Sequence, residues 1–517
     1  MPLSVGYSEE TLSAVAAEDH AWLASRSLVT LGGSLVGRAL NLGTQVVLAR
    51  LLGPTEFGLY AIGWALLQVS SLFVPLGLDN GVIHCATPYA DGHPERLARV
   101  LRESFTLTLL FGGLVSAATI GFAPQLALRV FGKAALLPVI RLFAVGFSLA
   151  AGLKVIAAST TVSQSIKYRV YSELLAQPAA NLLLFFLFYA LGWRLLGATA
   201  ATVASFGVGL ALAIAYQQKL FPHARFRGPV LSKQIASELL RFSATAWLGA
   251  VFLNLIPWLD RLFLGAYAAP ATVGVYQAAA QACMLFGVVA GAFNVVVAPR
   301  ISFLYQSSQM HRLEQVYKVV TKWIVYASTP LFLLFFCAPR QVLGVLYGVN
   351  YASSATPLVI LSFAQLIGAL AGPIGILLIF TARQRVFAVV ASGGVVLSTV
   401  LNYALIPRYG PIGAAWATAG GYVAIFFVSL SIARSTMGFW PYDKRWLKGC
   451  FAAAAAVGVL YLARPMDFGS SWIALLSTLG VSTVVFAGSL VLLRLDAEDR
   501  EMIRTLKLYL RPSGQVG

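Results

Sequence analysis

Residues 28–49 read LVTLGGSLVGRALNLGTQVVLA, an apolar run of 22 residues interrupted by a single charge, Arg38. At ~1.5 Å per residue a helix of this length reaches ~33 Å, enough to cross the ~30 Å hydrocarbon layer of a bilayer. Ser34, Arg38, Asn41 and Gln45 recur along it at i, i+4, i+7 and i+11. At ~100° per residue they fall within about 60° of one another and form a polar stripe on one helix face. An Arg at the centre of a span costs ~2.5–3.5 kcal/mol on insertion scales, so a charge kept there is expected to face a cavity and to have a use.

The rest of the chain repeats this pattern. Comparable runs fall near 58–84, 103–123, 135–160, 170–192, 196–218, 241–262, 271–299, 319–338, 354–380, 384–406, 412–434, 446–463 and 471–493. The sequence therefore predicts an all-α polytopic membrane protein with about 14 transmembrane helices. Pro75 and Pro373 lie inside two of these runs, where they are expected to bend or break the helix. Composition agrees. Of 517 residues 59% are hydrophobic and 11% charged, against ~25% charged in soluble domains, so a large soluble enzyme is excluded. The four Cys, at 85, 283, 337 and 450, form no CxxC pair and no disulfide framework.

The 37 Lys and Arg against 19 Asp and Glu leave a net charge of +18. A nucleic-acid partner would gather that excess on one domain. Here it comes in short bursts between apolar runs, and no nucleic acid is expected. With the N-terminus inside, 26 basic residues fall in inner loops or at the inner ends of spans, 8 in outer loops or at the outer ends, and three (Arg38, Arg141, Lys154) deeper within spans. By the positive-inside rule both termini are cytoplasmic, in an inner cell membrane. Segment 1–27 carries Glu9, Glu10, Glu18 and Asp19 with only Arg26 as a base, which is unlike a signal peptide. In the tail, 494–517, Leu495, Met502, Ile503, Leu506 and Leu510 mark an apolar face, with Arg500, Arg504, Lys507 and Arg511 positioned to meet headgroups. That pattern suits an amphipathic helix at the cytoplasmic interface.

A shift of 216 residues aligns the chain with itself. Gly58-Leu59-Tyr60 falls on Gly274-Val275-Tyr276, and Arg96-Leu97 on Arg312-Leu313. Phe131-Gly132 falls on Tyr347-Gly348, Arg169-Val170-Tyr171 on Arg385-Val386-Phe387, and Gly197-Ala198 on Gly413-Ala414. Two six-span lobes, 28–218 and 241–434, follow, joined by a cytoplasmic linker at 219–240 and extended by two spans over 435–493. An even number of spans per repeat makes the repeats parallel, with a pathway expected between them.

Motifs for a P-loop, a zinc protease, a nucleophile elbow or a dinucleotide site are absent, and the five His are scattered. No enzyme activity, metal or cofactor is expected. The chemistry lies in polar groups inside spans. Besides Arg38, Asn41 and Gln45, the cargo-binding candidates are Lys154 on the fourth span and Asn254 and Arg261 on the seventh. Candidate ion-coupling acids are Asp79, Glu173 and Asp260. Glu173 follows Arg169 by four residues, which also suits a local ion pair, and Asp260 adjoins Arg261, which it also neutralises. A net-cationic lumen suits an anionic cargo.

The stretch LARLLGPTEFGLY (48–60) resembles the first-loop signature of the bacterial polysaccharide, or lipid-linked oligosaccharide, flippases of the multidrug/oligosaccharidyl-lipid/polysaccharide exporter superfamily, relatives of the lipid II flippases. PLGLDNGVIH (75–84) is similar to the end of their second span. The resemblance implies that the chain moves a polyprenyl-diphosphate-linked oligosaccharide from the inner to the outer leaflet by alternating access, for cell-surface polysaccharide export. It implies a monomer that works alongside polysaccharide-synthesis machinery. It places the family's cationic lumen on Arg38, with Lys154 and Arg261.

Other readings predict different features. A multidrug antiporter of the same superfamily resembles a twelve-span bundle with an acidic lumen. A glycan polymerase needs a long outer loop bearing catalytic residues. A membrane scaffold would have a lumen blocked in every conformation.

Overall fold

The computed structural model describes residues 9–90, 92–163, 165–222, 233–442, 446–462 and 472–493. The start of the N-terminal segment, residues 223–232 of the 219–240 linker and the amphipathic tail lie outside the described residues. Helices α1 (Glu9–Phe73), α2 (Leu78–Ala86), α3 (Pro94–Gln125) and α4 (Leu136–Ser159) come first. α5 (Lys167–Arg169) runs through a wide turn into α6 (Gln177–Ala190), followed by α7 (Arg194–Leu220), α8 (Lys233–Tyr267) and α9 (Pro270–Gln306). Then come α10 (Met310–Cys337), α11 (Pro339–Tyr347), α12 (Ala355–Ala371), α13 (Ile374–Phe380), α14 (Gln384–Met437), α15 (Trp446–Leu462) and α16 (Trp472–Leu492).

Among the described residues there is no strand, and ten helical stretches are long and apolar enough to cross a membrane. The protein is a multi-pass membrane protein. α1 is two helices joined at Gly53 (φ 73°, ψ 171°), and α14 is two joined at Gly410 (φ 53°, ψ −128°). Each corner is a glycine followed by proline, Pro54 and Pro411. The glycine takes a backbone conformation that side chains oppose. The proline starts the next helix where its missing N–H costs nothing.

The expected breaks at Pro75 and Pro373 are present. Pro75 cannot donate to the helix, so α1 ends at Phe73. The chain then turns through Leu76 (φ 51°) and Gly77 (φ 74°) before α2 begins. The Leu72 carbonyl released by the break accepts a 2.7 Å hydrogen bond from the Trp247 indole, as a backbone group out of reach of water requires. The second break falls at Gly372 (φ 63°), where a Cβ would lie 2.0 Å from Thr321 Oγ1. Tyr317 donates to the Ala371 carbonyl there at 2.8 Å.

The chain divides into two compact units, Met1–Gln277 and Ala278–Gly517. The first is organised around an aromatic stack. Tyr60 and Trp64 lie 6.2 Å apart, Phe143 tilts onto Tyr60 at 5.5 Å, and Phe206 stacks on Trp64 at 6.5 Å. α2 is held by Leu78, Val82 and Cys85 against Leu97, Leu101, Val155 and Leu239. Since lipid offers apolar surface as readily as protein does, close approach at small residues holds such helices together. Gly33 and Gly37 let α1 rest on Val170 and on the Leu174 carbonyl.

Gly58 and Gly274, which the 216-residue offset aligns, meet face to face. A Cβ on Gly58 would come within 1.8 Å of the Pro270 carbonyl, and one on Gly274 within 2.1 Å of the Pro54 carbonyl. In the second unit α15 and α16 pack on α10, with Tyr326 set edge-on to Phe486 at 5.8 Å and Leu333, Ala452 and Ala456 around them.

Candidate functional site

Four helical segments of the first unit converge on the charged residues singled out above. Asp79 sits in the first turn of α2, directly after the broken stretch, and Lys154 lies near the end of α4. Their side chains form an ion pair, Nζ to Oδ2 at 3.6 Å, with 33% and 14% of the side-chain surface exposed. Arg169 Nε donates to Glu173 Oε2 at 2.9 Å, and the guanidinium also feels the charge of Asp79. Gly37 touches Leu174, so Arg38 and Glu173 each lie one residue from that crossing. Arg38 is exposed and Asn41 half-buried. Arg38, Asp79, Lys154, Arg169 and Glu173 thus belong to one region of one unit.

The polar stripe of α1 changes character along its length. Gln45 is 2% exposed and lies against the Tyr60 hydroxyl, alongside Thr202 and Asn181. Tyr60 Oη and Thr202 Oγ1 are 3.0 Å apart, and Thr202 donates to Asn181 Oδ1 at 3.2 Å. Gln45 Oε1 has no hydrogen-bond partner in the described structure. Gln45, a cargo-binding candidate, packs into the polar centre of the first unit one helical turn beyond Asn41.

Arg261 and Asp260, a cargo-binding and an ion-coupling candidate that were also expected to neutralise each other, are paired at 3.2 Å with 2% and 1% of their side chains exposed. Asp260 Oδ1 also accepts from the Arg261 backbone N–H at 2.7 Å, and Oδ2 accepts from the Tyr276 hydroxyl at 2.6 Å. Arg261 Nε donates to Gln277 Oε1 at 2.6 Å, and its guanidinium lies 5.0 Å over the Trp258 ring. A buried charge pair is stable only when its remaining donors and acceptors are satisfied in this way. Asn254, two helical turns earlier on α8, is exposed.

Two groups escaped the sequence reading. Arg169 was read only as a partner for Glu173, and its place beside Asp79 has no local sequence signal. Lys322 was counted as a loop charge, yet it lies well inside α10 and is 4% exposed. Its place within the apolar run was the available signal. Among the described residues no cluster of three His, Cys, Asp or Glu is placed to hold a metal.

Residues 47–356 match the family described as "Polysaccharide biosynthesis protein". The chain belongs to that family. It is 25% identical over 433 residues to the lipid III flippase of Escherichia coli (strain K12), covering 81% of this chain and 97% of that one. It is 22% identical to the uncharacterized membrane protein MJ1068 of Methanocaldococcus jannaschii, over 44% of this chain and 46% of that one. It is also 22% identical to the probable low-salt glycan biosynthesis flippase Agl15 of Haloferax volcanii, over 42% of this chain and 48% of that one.

Among solved structures, the lipid II flippase MurJ in an inward closed conformation superposes with a TM-score of 0.72 at 13% identity, over 92% of this chain and 99% of that one. An inward-facing multidrug resistance MATE transporter of the MOP superfamily superposes with a TM-score of 0.66 at 15% identity, over 80% and 98%. At such identities the likeness establishes the fold. The family membership and the named relatives agree with the flippase resemblance of the first loop.

Proposed function

We propose that this protein is a flippase for lipid-linked glycans, carrying a polyprenyl-diphosphate oligosaccharide from the inner to the outer leaflet of the cell membrane. The observation that carries the reading is a group of partly exposed charges, Arg38, Lys154 and Asp79, inside the spans of a chain belonging to the polysaccharide biosynthesis family. The name of the lipid III flippase relative, matched over 97% of its length, supports the same class of cargo. The lipid tail can stay in the bilayer, so the barrier to flipping is the passage of a charged, hydrated headgroup through hydrocarbon. Cations in a wet cavity lower that barrier.

In this reading the two halves of α1 and α14 count as separate spans. With α8 and α15 they bring the total to about fourteen, both termini being cytoplasmic. The repeats 28–218 and 241–434 rock about a central pathway. Arg38 holds the diphosphate, because a guanidinium offers a planar fork of donors and stays charged at any relevant pH. Asn41 meets sugar hydroxyls, and Lys154 is the second cation. Asp79 and Glu173 are the acids available for ion coupling. Asn254, exposed on α8, remains a candidate polar contact. Gln45, Asp260 and Arg261 shape the walls of the site through their buried networks.

The experiment is translocation of a fluorescent lipid-diphosphate sugar in inverted vesicles. Arg38→Ala abolishes flipping while membrane insertion and folding persist, and Arg38→Lys retains part of the activity. Normal transport by Arg38→Ala would overturn the assignment. A multidrug antiporter, which the MATE likeness in fold also accommodates, would instead move organic cations in the same vesicles.

A further inference from the structure

The ion pair of Asp79 and Lys154 differs in kind from that of Asp260 and Arg261. Asp260 and Arg261 are buried and carry further hydrogen bonds with the Arg261 backbone, Tyr276 and Gln277. Asp79 and Lys154 meet through one contact of 3.6 Å, longer than the ~2.7–2.9 Å of a charge-assisted hydrogen bond, and both are partly exposed. Asp79 is anchored. Gly77 and Gly81 fit so closely against Ser243 that a Cβ on either would collide with it, and Trp247 clasps the Leu72 carbonyl just before the break. Lys154 is tethered by a flexible four-carbon stem and carries three donors. The fixed partner is the acid and the movable one is the cation.

We propose that Asp79 is a stand-in for the cargo's diphosphate. It occupies Lys154 in the empty transporter, gives it up when a diphosphate arrives, and reclaims it when the cargo leaves. The proposal rests on the flippase reading and adds a role for Asp79 that is not ion coupling. Lys154 and Arg169 both act on Asp79, and without that acid their positive charge would hold a diphosphate too firmly to release it. Asp79 competes for the same ammonium and repels the diphosphate once displaced, which keeps binding weak enough for turnover. Glu173 already engages Arg169 at 2.9 Å, whereas Lys154 meets Asp79 through the longer 3.6 Å contact, a partner more easily exchanged.

The test is equilibrium binding of farnesyl diphosphate, with farnesol as the uncharged control, to the full-length protein in nanodiscs. The wild type binds farnesyl diphosphate more tightly than farnesol. If it does not discriminate, the flippase reading itself fails. Asp79→Asn binds farnesyl diphosphate ~5-fold more tightly, the scale of one partly exposed ion pair removed from competition. Lys154→Gln weakens binding by a similar factor, and the double variant binds like Lys154→Gln alone.

A merely structural brace would not tighten binding when removed. Unchanged or weaker binding by Asp79→Asn, or additive effects in the double variant, would overturn the proposal while leaving the flippase reading in place. If neither Asp79→Asn nor Asp79→Ser yields a folded protein, the pair is a brace and the proposal also falls.

Discussion

Replacing Gly58 by alanine adds one methyl group at the closest approach found among the described glycines of the first unit. Its Cβ would lie 1.8 Å from the Pro270 carbonyl oxygen, 2.6 Å from its carbon and 2.9 Å from the Gly274 nitrogen. Ordinary contact needs ~3.5 Å, so the two backbones must part by about 1.7 Å; no side chain can swing aside, because the obstacle is backbone. Overpacking of this kind costs ~1–3 kcal/mol, or ~5- to 150-fold in the folded fraction.

Gly274→Ala makes the mirror-image intrusion, 2.1 Å from the Pro54 carbonyl and 3.0 Å from the Gly58 nitrogen. Once either methyl has parted the helices, the second enters space already opened. The double variant therefore loses less than the sum of the single losses, by ~0.5–3 kcal/mol. Unfolding of the full-length protein in mild detergent, followed by Trp fluorescence, measures all three. Single variants within about 0.5 kcal/mol of wild type, or strictly additive losses, would refute a shared crossing at these glycines.

The buried acid offers a second test. Asp260→Asn leaves Arg261 charged and without its counter-ion and should cost ~3–5 kcal/mol in the same unfolding assay. Tyr276→Phe, which loses one hydrogen bond to a carboxylate, should cost ~1.5–3 kcal/mol. Gly372→Ala should destabilise by ~1–3 kcal/mol because its Cβ meets Thr321 Oγ1 at 2.0 Å with φ at 63°, and pairing it with Thr321→Ala should recover part of the loss. In a Cys-free background, single Cys residues placed in 219–240 should react with an impermeant thiol reagent only from the cytoplasmic side. Labelling from outside would overturn the charge-based topology.

Much of this protein is legible in the linear sequence because a bilayer imposes a strong local rule. Any segment that crosses it must be apolar for about 20 residues and must satisfy its own backbone, so each span declares itself without reference to the others. The helical class, the breaks at Pro75 and Pro373 and the polar stripe of α1 all follow from local rules acting within a few turns. Even the Arg169–Glu173 pair follows, since i,i+4 neighbours on a helix meet whatever surrounds them.

Whether an intramembrane charge is open or closed is a different matter, because the answer depends on what the other helices bring to it. Arg38 and Gln45 lie on one stripe of one helix. Tyr60, Thr202 and Asn181 close around Gln45, while Arg38 is left exposed. Arg261 and Lys154 both read as cations in apolar runs, Arg261 with an acid beside it in sequence. Tyr276 and Gln277, sixteen residues from Asp260 and Arg261, seal one pair, whereas Lys154 finds Asp79 on another helix and stays loosely held. The cost of desolvating a charge acts on each residue alone and is written in the sequence. The partners that offset it are assembled by packing between distant helices, and only the tertiary structure decides them.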